Sequence, residues 1–326
     1  QLKEGLSEIA LVGATYDSNG NPLEGIAVSA RAEGSTITTT VFTDESGQYL
    51  FPASLHPGTY QVWAQAVGIA TAKDEIVLTE DRPGYLGFNL AQIDDVIPQL
   101  TGSEWLDALP MNTAEDRRMK EIFRVNCTEC HQPNVVLQHR FDEQGWLAII
   151  EVMEQSTWSG WTGQPGFGAE TIGYHREELA EYLARIRGPK SDPLSFKLHP
   201  RPTGEAARVV ITGYQFPPAE TPDELSWHDG SDWALGPASG GHGAVGPHDV
   251  SIDLNGNAWV TEGVGNDFRT LVKIDTKTGQ STAFALTDTN GAHGIATSAN
   301  DPGQALWFDA YGPRARLARL DPNTET

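Results

Sequence analysis

The spacing of the apolar residues changes twice along this chain, and no single uniform fold accommodates all three spacings. From residue 1 to about 92, short runs rich in Val, Ile, Thr and Tyr follow one another, among them IALVGATYD, GIAVSARAE, STITTTVFT and TYQVWAQAV. The turn clusters DSNGNP, DESG and HPG separate them. Short strands broken at that interval predict a small all-β sandwich. Within TDESGQY, the stretch from Asp44 to Gly47 reads as a turn, after which Tyr49 and Phe51 alternate toward the interior.

From about 101 to 188 the spacing becomes helical. Thr113 precedes AEDRRMKEIFRVN, whose first turn carries Glu115 and Asp116, acidic side chains that favour a helix N-terminus. Met119, Ile122 and Phe123 fall on one side of it. Trp146, Ile149, Ile150 and Met153 recur at offsets of three and four in DEQGWLAIIEVMEQ. Leu179, Tyr182, Leu183 and Ile186 do the same in HREELAEYLARIRG, which stops at Gly188-Pro189.

From about 197 the β texture returns and repeats. GPHDVSIDLNGNAWVTEG and GAHGIATSANDPGQALWFDAYG open two units, closed by LVKIDTKTG and LARLDPNTE. His248 and His293 lie 45 residues apart, Trp259 and Trp307 48, and Asp275 and Asp321 46. A four-stranded blade with its turns needs about 40–50 residues, so the period predicts a β-propeller. ARVVITGYQFPPAE leaves room for part of a third unit. Propellers have about four to eight blades, so the expectation is a piece of a longer protein, or a second chain that completes the ring.

Composition narrows the partners. The 326 residues hold 44 Asp and Glu against 22 Lys and Arg, a formal charge of −22. That sign repels phosphate backbones, so nucleic acid is not an expected partner; it suits solubility or a basic protein. No apolar run approaches the roughly 18 residues of a membrane span.

The two cysteines of the chain stand three residues apart, and a histidine follows: Cys127-Thr128-Glu129-Cys130-His131. C-x-x-C-H is the pattern of covalent haem c attachment. Two thiols at that spacing reach the vinyl groups on one porphyrin edge, and the adjacent imidazole becomes the proximal ligand to iron. A redox disulfide would sit at the start of a helix, and a structural zinc site needs four ligands; the motif here follows a helix and has no second pair. Met153 is the leading candidate for the sixth ligand, with His175 and His139 as alternatives; Met119 and Met111 are less well placed. Arg140 is a candidate partner for a haem propionate. Trp158, Trp161 and Phe167 either wall the haem edge or fill core.

Three resemblances accompany these readings. GATYDSNGNPLEGIAVSA, TDESGQYLF and PGTYQVWAQAVG resemble the carboxypeptidase regulatory-like domain, which implies a transthyretin-like sandwich serving a structural or adhesive purpose. CTECH, GWLAIIEVMEQ and EELAEYLARI resemble a cytochrome c domain, and HRFDEQGWLAIIEVM is similar to haem domains of quinohaemoprotein amine dehydrogenases. PHDV, NGNAWVTE and KIDTKTG resemble the propeller repeat of streptogramin (virginiamycin B) lyases. Those lyases use a histidine, acidic residues and magnesium to break an ester by elimination. His248 and His293, with Asp249 and Glu262 nearby, stand at matching strand entries, where a structural role is the expectation. Nothing selects His228 or His242.

The expected fold is therefore multidomain: an all-β transthyretin/Ig-like sandwich over 1–95, an all-α monohaem cytochrome c domain over 101–189, and the start of a β-propeller over 197–326. The expected function is single-electron transfer through one haem c in a periplasmic or extracellular protein, more an electron carrier than a catalyst, working with a redox partner protein. One alternative is a haem-containing oxidoreductase or lyase whose propeller binds a small substrate. Another is a scaffold subunit of a larger redox complex.

Overall fold

A computed structural model describes residues 9–128, 132–155, 169–217, 247–262, 270–286, 289, 291–297, 301, 303–311 and 315–326. They fall into two units: Gln1–Gln99 with His199–Gln215 and Lys277–Gln280, and Leu100–Leu198 with Phe216–Thr276 and Ser281–Thr326.

Aspartates set the turns of the first unit. The Asp17 carboxylate accepts the N–H groups of Asn19 and Asn21, both at 2.8 Å, and Asp44 accepts those of Ser46 and Gln48 at 2.9 Å. Gly47 closes the second turn at φ 73°, in the left-handed region that favours glycine. The strands so defined are β1 (Ile9–Asp17), β2 (Ala27–Ala32), β3 (Ile37–Phe42), β4 (Gln48–Pro52), β5 (Gly58–Ala66), β6 (Ile69–Leu78) and β7 (Gly84–Leu90), joined later by β8 (Ile211–Tyr214). One sheet has the order β4-β1-β7, with β1 and β7 parallel; the other is antiparallel, in the order β6-β5-β2-β3-β8. Leu11, Ile26, Val28, Phe51, Val62 and Ala64 are wholly buried in the core.

The expected alternation holds in β4: Tyr49 and Phe51 point inward and Leu50 is exposed. The Tyr49 hydroxyl donates to the Leu86 carbonyl at 2.7 Å, and burial, followed by the neighbouring Tyr85, pushes its phenol pKa up. Gly13 makes this approach feasible. A Cβ there would stand 1.7 Å from Leu86 O and 2.4 Å from Tyr49 Oη.

The second unit contains six α-helices among its described residues: α1 (Gly102–Asp107), α2 (Ala114–Cys127), α3 (Pro133–Leu137), α4 (Glu143–Gln155), α5 (Ala169–Tyr174) and α6 (Arg176–Arg187). α4 packs on α5 and α6, α2 on α6 and α3, and α1 on α3. Leu179, Tyr182, Leu183 and Ile186 are buried, as their spacing requires. Two sheets follow. β9 (Pro247–Ile252), β10 (Ala258–Glu262), β11 (Leu271–Ile274) and β12 (Ser281–Phe284) form an antiparallel meander; β13 (Gly291–Thr297), β14 (Leu306–Tyr311) and β15 (Arg316–Leu320) form another. Trp259 and Leu271 of the first sheet share a core with Ala292, Leu306, Phe308 and Leu320 of the second. The Trp259 indole N–H donates to Asp253 at 2.9 Å, in a turn of the same kind as those of the sandwich.

The N-terminal sandwich is as expected, but the architecture corrects the all-α cytochrome c domain and the partial β-propeller expected after it. Most of the described secondary structure is β, and the helices share one unit with both C-terminal sheets rather than forming a domain of their own. Helical spacing specifies helices, not their independence, and α1, α3 and α5 span only six, five and six residues. The described C-terminal sheets have four and three strands and do not close into a ring. Two repeats build two neighbouring sheets, while closure takes about four or more. The segment read as room for a third repeat goes elsewhere: Ile211 pairs with Thr40 and Tyr214 with Ile37, extending the sandwich. No helix of the described residues is long and apolar enough to cross a membrane.

Because the Gly13 backbone carries the Tyr49 ring, Gly13→Ala is expected to destabilise the β1–β7 pairing by about 1–3 kcal/mol. Denaturant-dependent hydrogen exchange of the β7 amides measures it.

Candidate functional site

The helix that leads to Cys127 is fixed at both ends. At its start the Thr113 hydroxyl accepts the Asp116 N–H at 2.9 Å, and the Asp116 carboxylate accepts the Thr113 N–H at 3.2 Å, a reciprocal capping box. Arg185 of α6 donates to the same carboxylate at 2.8 Å. The Arg185 hydrogen bond, then that of Thr113, holds the Asp116 carboxyl below its ordinary range. Met119 and Phe123 bury the inner face of α2. At its end, Asn126 Nδ2 donates to Ile122 O and Thr128 Oγ1 to Arg124 O, both at 2.7 Å, and the Arg124 carbonyl is one that the last turn would leave open. Cys127 is the final helical residue and is half-buried. Cys130 and His131 lie outside the described residues, as do Trp158, Trp161, Phe167, His228 and His242.

The chain resumes at α3, with Pro133 at the first helical position. The apolar arc of α4 is buried along one side and exposed along the other. Trp146 and Ile150 are buried, whereas Ile149, Val152 and Met153 are exposed, Met153 at 36 %. The Trp146 indole N–H is buried with no acceptor among the described residues. Met119 is buried on α2, and Met111 is half-exposed, with Lys120 Nζ 3.5 Å from its sulfur.

The histidine candidates differ in their surroundings. His175 stands at the N-cap of α6, its Nδ1 paired with the Glu178 carboxylate. Arg118 of α2 grips that carboxylate with two bonds of 2.8 and 3.0 Å. Arg118 first, and then His175, lower the Glu178 pKa to about 2. His139 stacks on Phe141, ring centroids 5.6 Å apart.

Arg140 closes the end of α6. Its Nε donates to Gly188 O at 3.1 Å, and its Nη2 donates to the Ser191 carbonyl and, at 3.1 Å, to Ser191 Oγ. A neighbour that spacing did not single out is Arg187, buried over the Trp105 ring at 5.4 Å and donating to Gln138 O at 3.3 Å. Burial, then the nearby Arg140 charge, pushes its pKa down. Its position in the last turn of α6 was the available signal, since cations favour that end of a helix.

In the C-terminal sheets, the structure brings His248 and His293 together, ring centroids 3.4 Å apart. Asp249 accepts backbone N–H groups from Ile295 first and then Val250, which hold its carboxyl below the usual range, and Glu262 is wholly buried. Among the described residues no group of three or more His, Cys, Asp or Glu is arranged to hold a metal.

Residues 10–91 match the Carboxypeptidase regulatory-like domain family, as the resemblance noted above implied: the N-terminal segment is such a domain. No curated protein matches the chain. Among solved structures, the Bacillus anthracis TIE protein is 16% identical over 27% of this chain and 17% of its own length, with a TM-score of 0.24. Klebsiella pneumoniae 5-hydroxyisourate hydrolase is 27% identical over 26% of this chain and 90% of its own, with a TM-score of 0.22.

The capping box gives two linked expectations for α2. Thr113→Ala weakens the helix by about 1 kcal/mol, read as faster hydrogen exchange in its first two turns. Because the folded Asp116 pKa is depressed, its contribution is present above the ordinary carboxylate value of 3.8 and is lost as pH falls below it. Asp116→Asn removes that acid limb.

Proposed function

We propose that this chain is an exported carrier of single electrons, in which Cys127 and Cys130 would hold one haem c through thioether bonds and His131 would supply an imidazole ligand to its iron. The observation that carries the reading is the run Cys-Thr-Glu-Cys-His at the C-terminal end of α2. Its donor set, two thiols and an adjacent imidazole, fits covalent haem attachment and leaves a zinc site one ligand short. The apolar side chains that α4 leaves exposed, together with the buried Trp146 N–H that has no acceptor among the described residues, suit a large planar group with an apolar body and polar edges.

A bound haem supplies an iron that takes up and gives back one electron, at a potential set by its axial ligands. Met153 would be the second protein ligand to the iron, since its side chain is partly exposed near the end of α4. His175 is the first alternative: a carboxylate on Nδ1, as Glu178 provides, is how ligating imidazoles are commonly oriented. His139 is the second. Arg140 is the candidate for pairing with a propionate, through guanidinium N–H groups that its bonds at the end of α6 do not use. Haem c is attached outside the bacterial cytoplasm, so this reading entails a periplasmic or extracellular protein. The charge of −22 suits a redox partner with a basic docking face.

The test is chemical. After denaturation and acid-acetone extraction, the polypeptide should keep its colour and weigh one haem more than its amino acids. Cys127→Ala with Cys130→Ala should abolish both, and a colourless, unmodified wild-type chain made in a host competent for haem attachment overturns the proposal. Met153→Ala should keep the covalent haem while losing the weak far-red absorption that reports sulfur bound to ferric iron.

A further inference from the structure

The two C-terminal sheets are interrupted at the same place. In the first, Pro247 faces Glu262 and Val250 faces Val260, so His248 and Asp249 together oppose the single residue Thr261. In the second, Ala292 faces Ala310 and Ile295 faces Phe308, so His293 and Gly294 oppose Asp309. Both are β-bulges, in which an extra residue breaks the regular alternation and re-aims a side chain.

Each bulge is pinned by the residue across from it. Thr261 Oγ1 accepts the Asp249 N–H at 3.0 Å and donates to the His293 carbonyl at 2.7 Å. Asp309 Oδ1 accepts the N–H groups of His293 and Gly294 at 3.1 and 2.6 Å. Asp249 Oδ2 then crosses between the sheets to accept the Ile295 N–H at 3.1 Å. Three side chains thus fix two backbone irregularities, and their common effect is to bring one imidazole from each sheet to the same point. The rings meet with centroids 3.4 Å apart and planes tilted by 35°.

Packing alone does not account for this convergence. His248 is exposed and His293 only half-buried, so the pair contributes little apolar burial. Two imidazoles in contact, beside the Asp249 carboxylate, are what a borderline cation recognises. Zinc, copper and nickel take imidazole nitrogen at about 2.0–2.1 Å, so nitrogens roughly 3 Å apart bind one ion in common. The rings lie nearly face to face, and a turn about the side-chain torsions would point their in-plane nitrogen lone pairs at a common ion.

We propose that His248 and His293 form a binding site for a divalent transition metal of the zinc and copper class, with the two imidazoles as protein ligands and water completing the coordination. The site is separate from Cys127 and stands or falls without the haem reading.

The experiment uses the full chain after chelator treatment, titrated calorimetrically with zinc chloride. One binding event should weaken by about tenfold or more in His248→Gln and in His293→Gln, losses of the size expected when a ligand is removed. It should be unchanged in His199→Gln, which serves as the control for histidines in general. Copper(II) in the wild type should show electron-resonance splitting from two nitrogens, reduced to one in either variant. If His293→Gln perturbs the fold, judged by circular dichroism, the exposed His248→Gln still gives the answer. Identical isotherms for wild type and both variants, or no zinc binding at all, overturn the proposal.

Discussion

A tight turn leaves backbone N–H groups without partners in the strand ladder, and this chain meets that requirement with aspartate. Asp17, Asp44, Asp253 and Asp321 each accept the N–H two residues on, and the first three also accept the one four residues on. Burial pushes Asp44 and Asp253 up, and the hydrogen bonds into their carboxylates more than offset it; bonds from Asn21 and Asn323 hold Asp17 and Asp321 down. All four therefore stay ionised at neutral pH. The acidity of the chain is thus partly structural: charges that look like solubilising surface also hold strand register in both units.

That chemistry is why much of the fold was legible. DSNGNP and DLNGNA announce the same turn in two different sheets, and the runs between them have strand composition. Thr113 and its acidic first turn gave the start of α2, and the spacing of Leu179, Tyr182, Leu183 and Ile186 gave the buried face of α6. What could not be read was pairing. VVITGY has the composition of a strand anywhere, and nothing within it names β3 as its neighbour. The 45-residue period likewise specifies repeated sheets while leaving open whether they close into a ring.

The candidate sites divide along the same line. C-x-x-C-H is a local pattern and was legible without any structure. Arg140 was legible as a cation but not as the clamp on the end of α6, because Gly188 and Ser191 are some fifty residues away in sequence. The bulges at His248 and His293 were invisible, since a bulge is a property of two strands in register. The repeat in sequence nonetheless marked both positions, and the structure supplies the reason that repetition has physical meaning there.

The return of Ile211–Tyr214 to the edge of β3 bears on how the protein is made. A ribosome delivers the first seven strands early, but the eighth emerges only after the whole helical stretch between residues 100 and 198. Until then β3 presents open backbone groups, the kind of edge that recruits stray strands from other chains. The helical stretch is in effect an insertion between two strands of one sandwich, tethered at both ends. Translation speed across it sets how long the nascent domain stays adhesive.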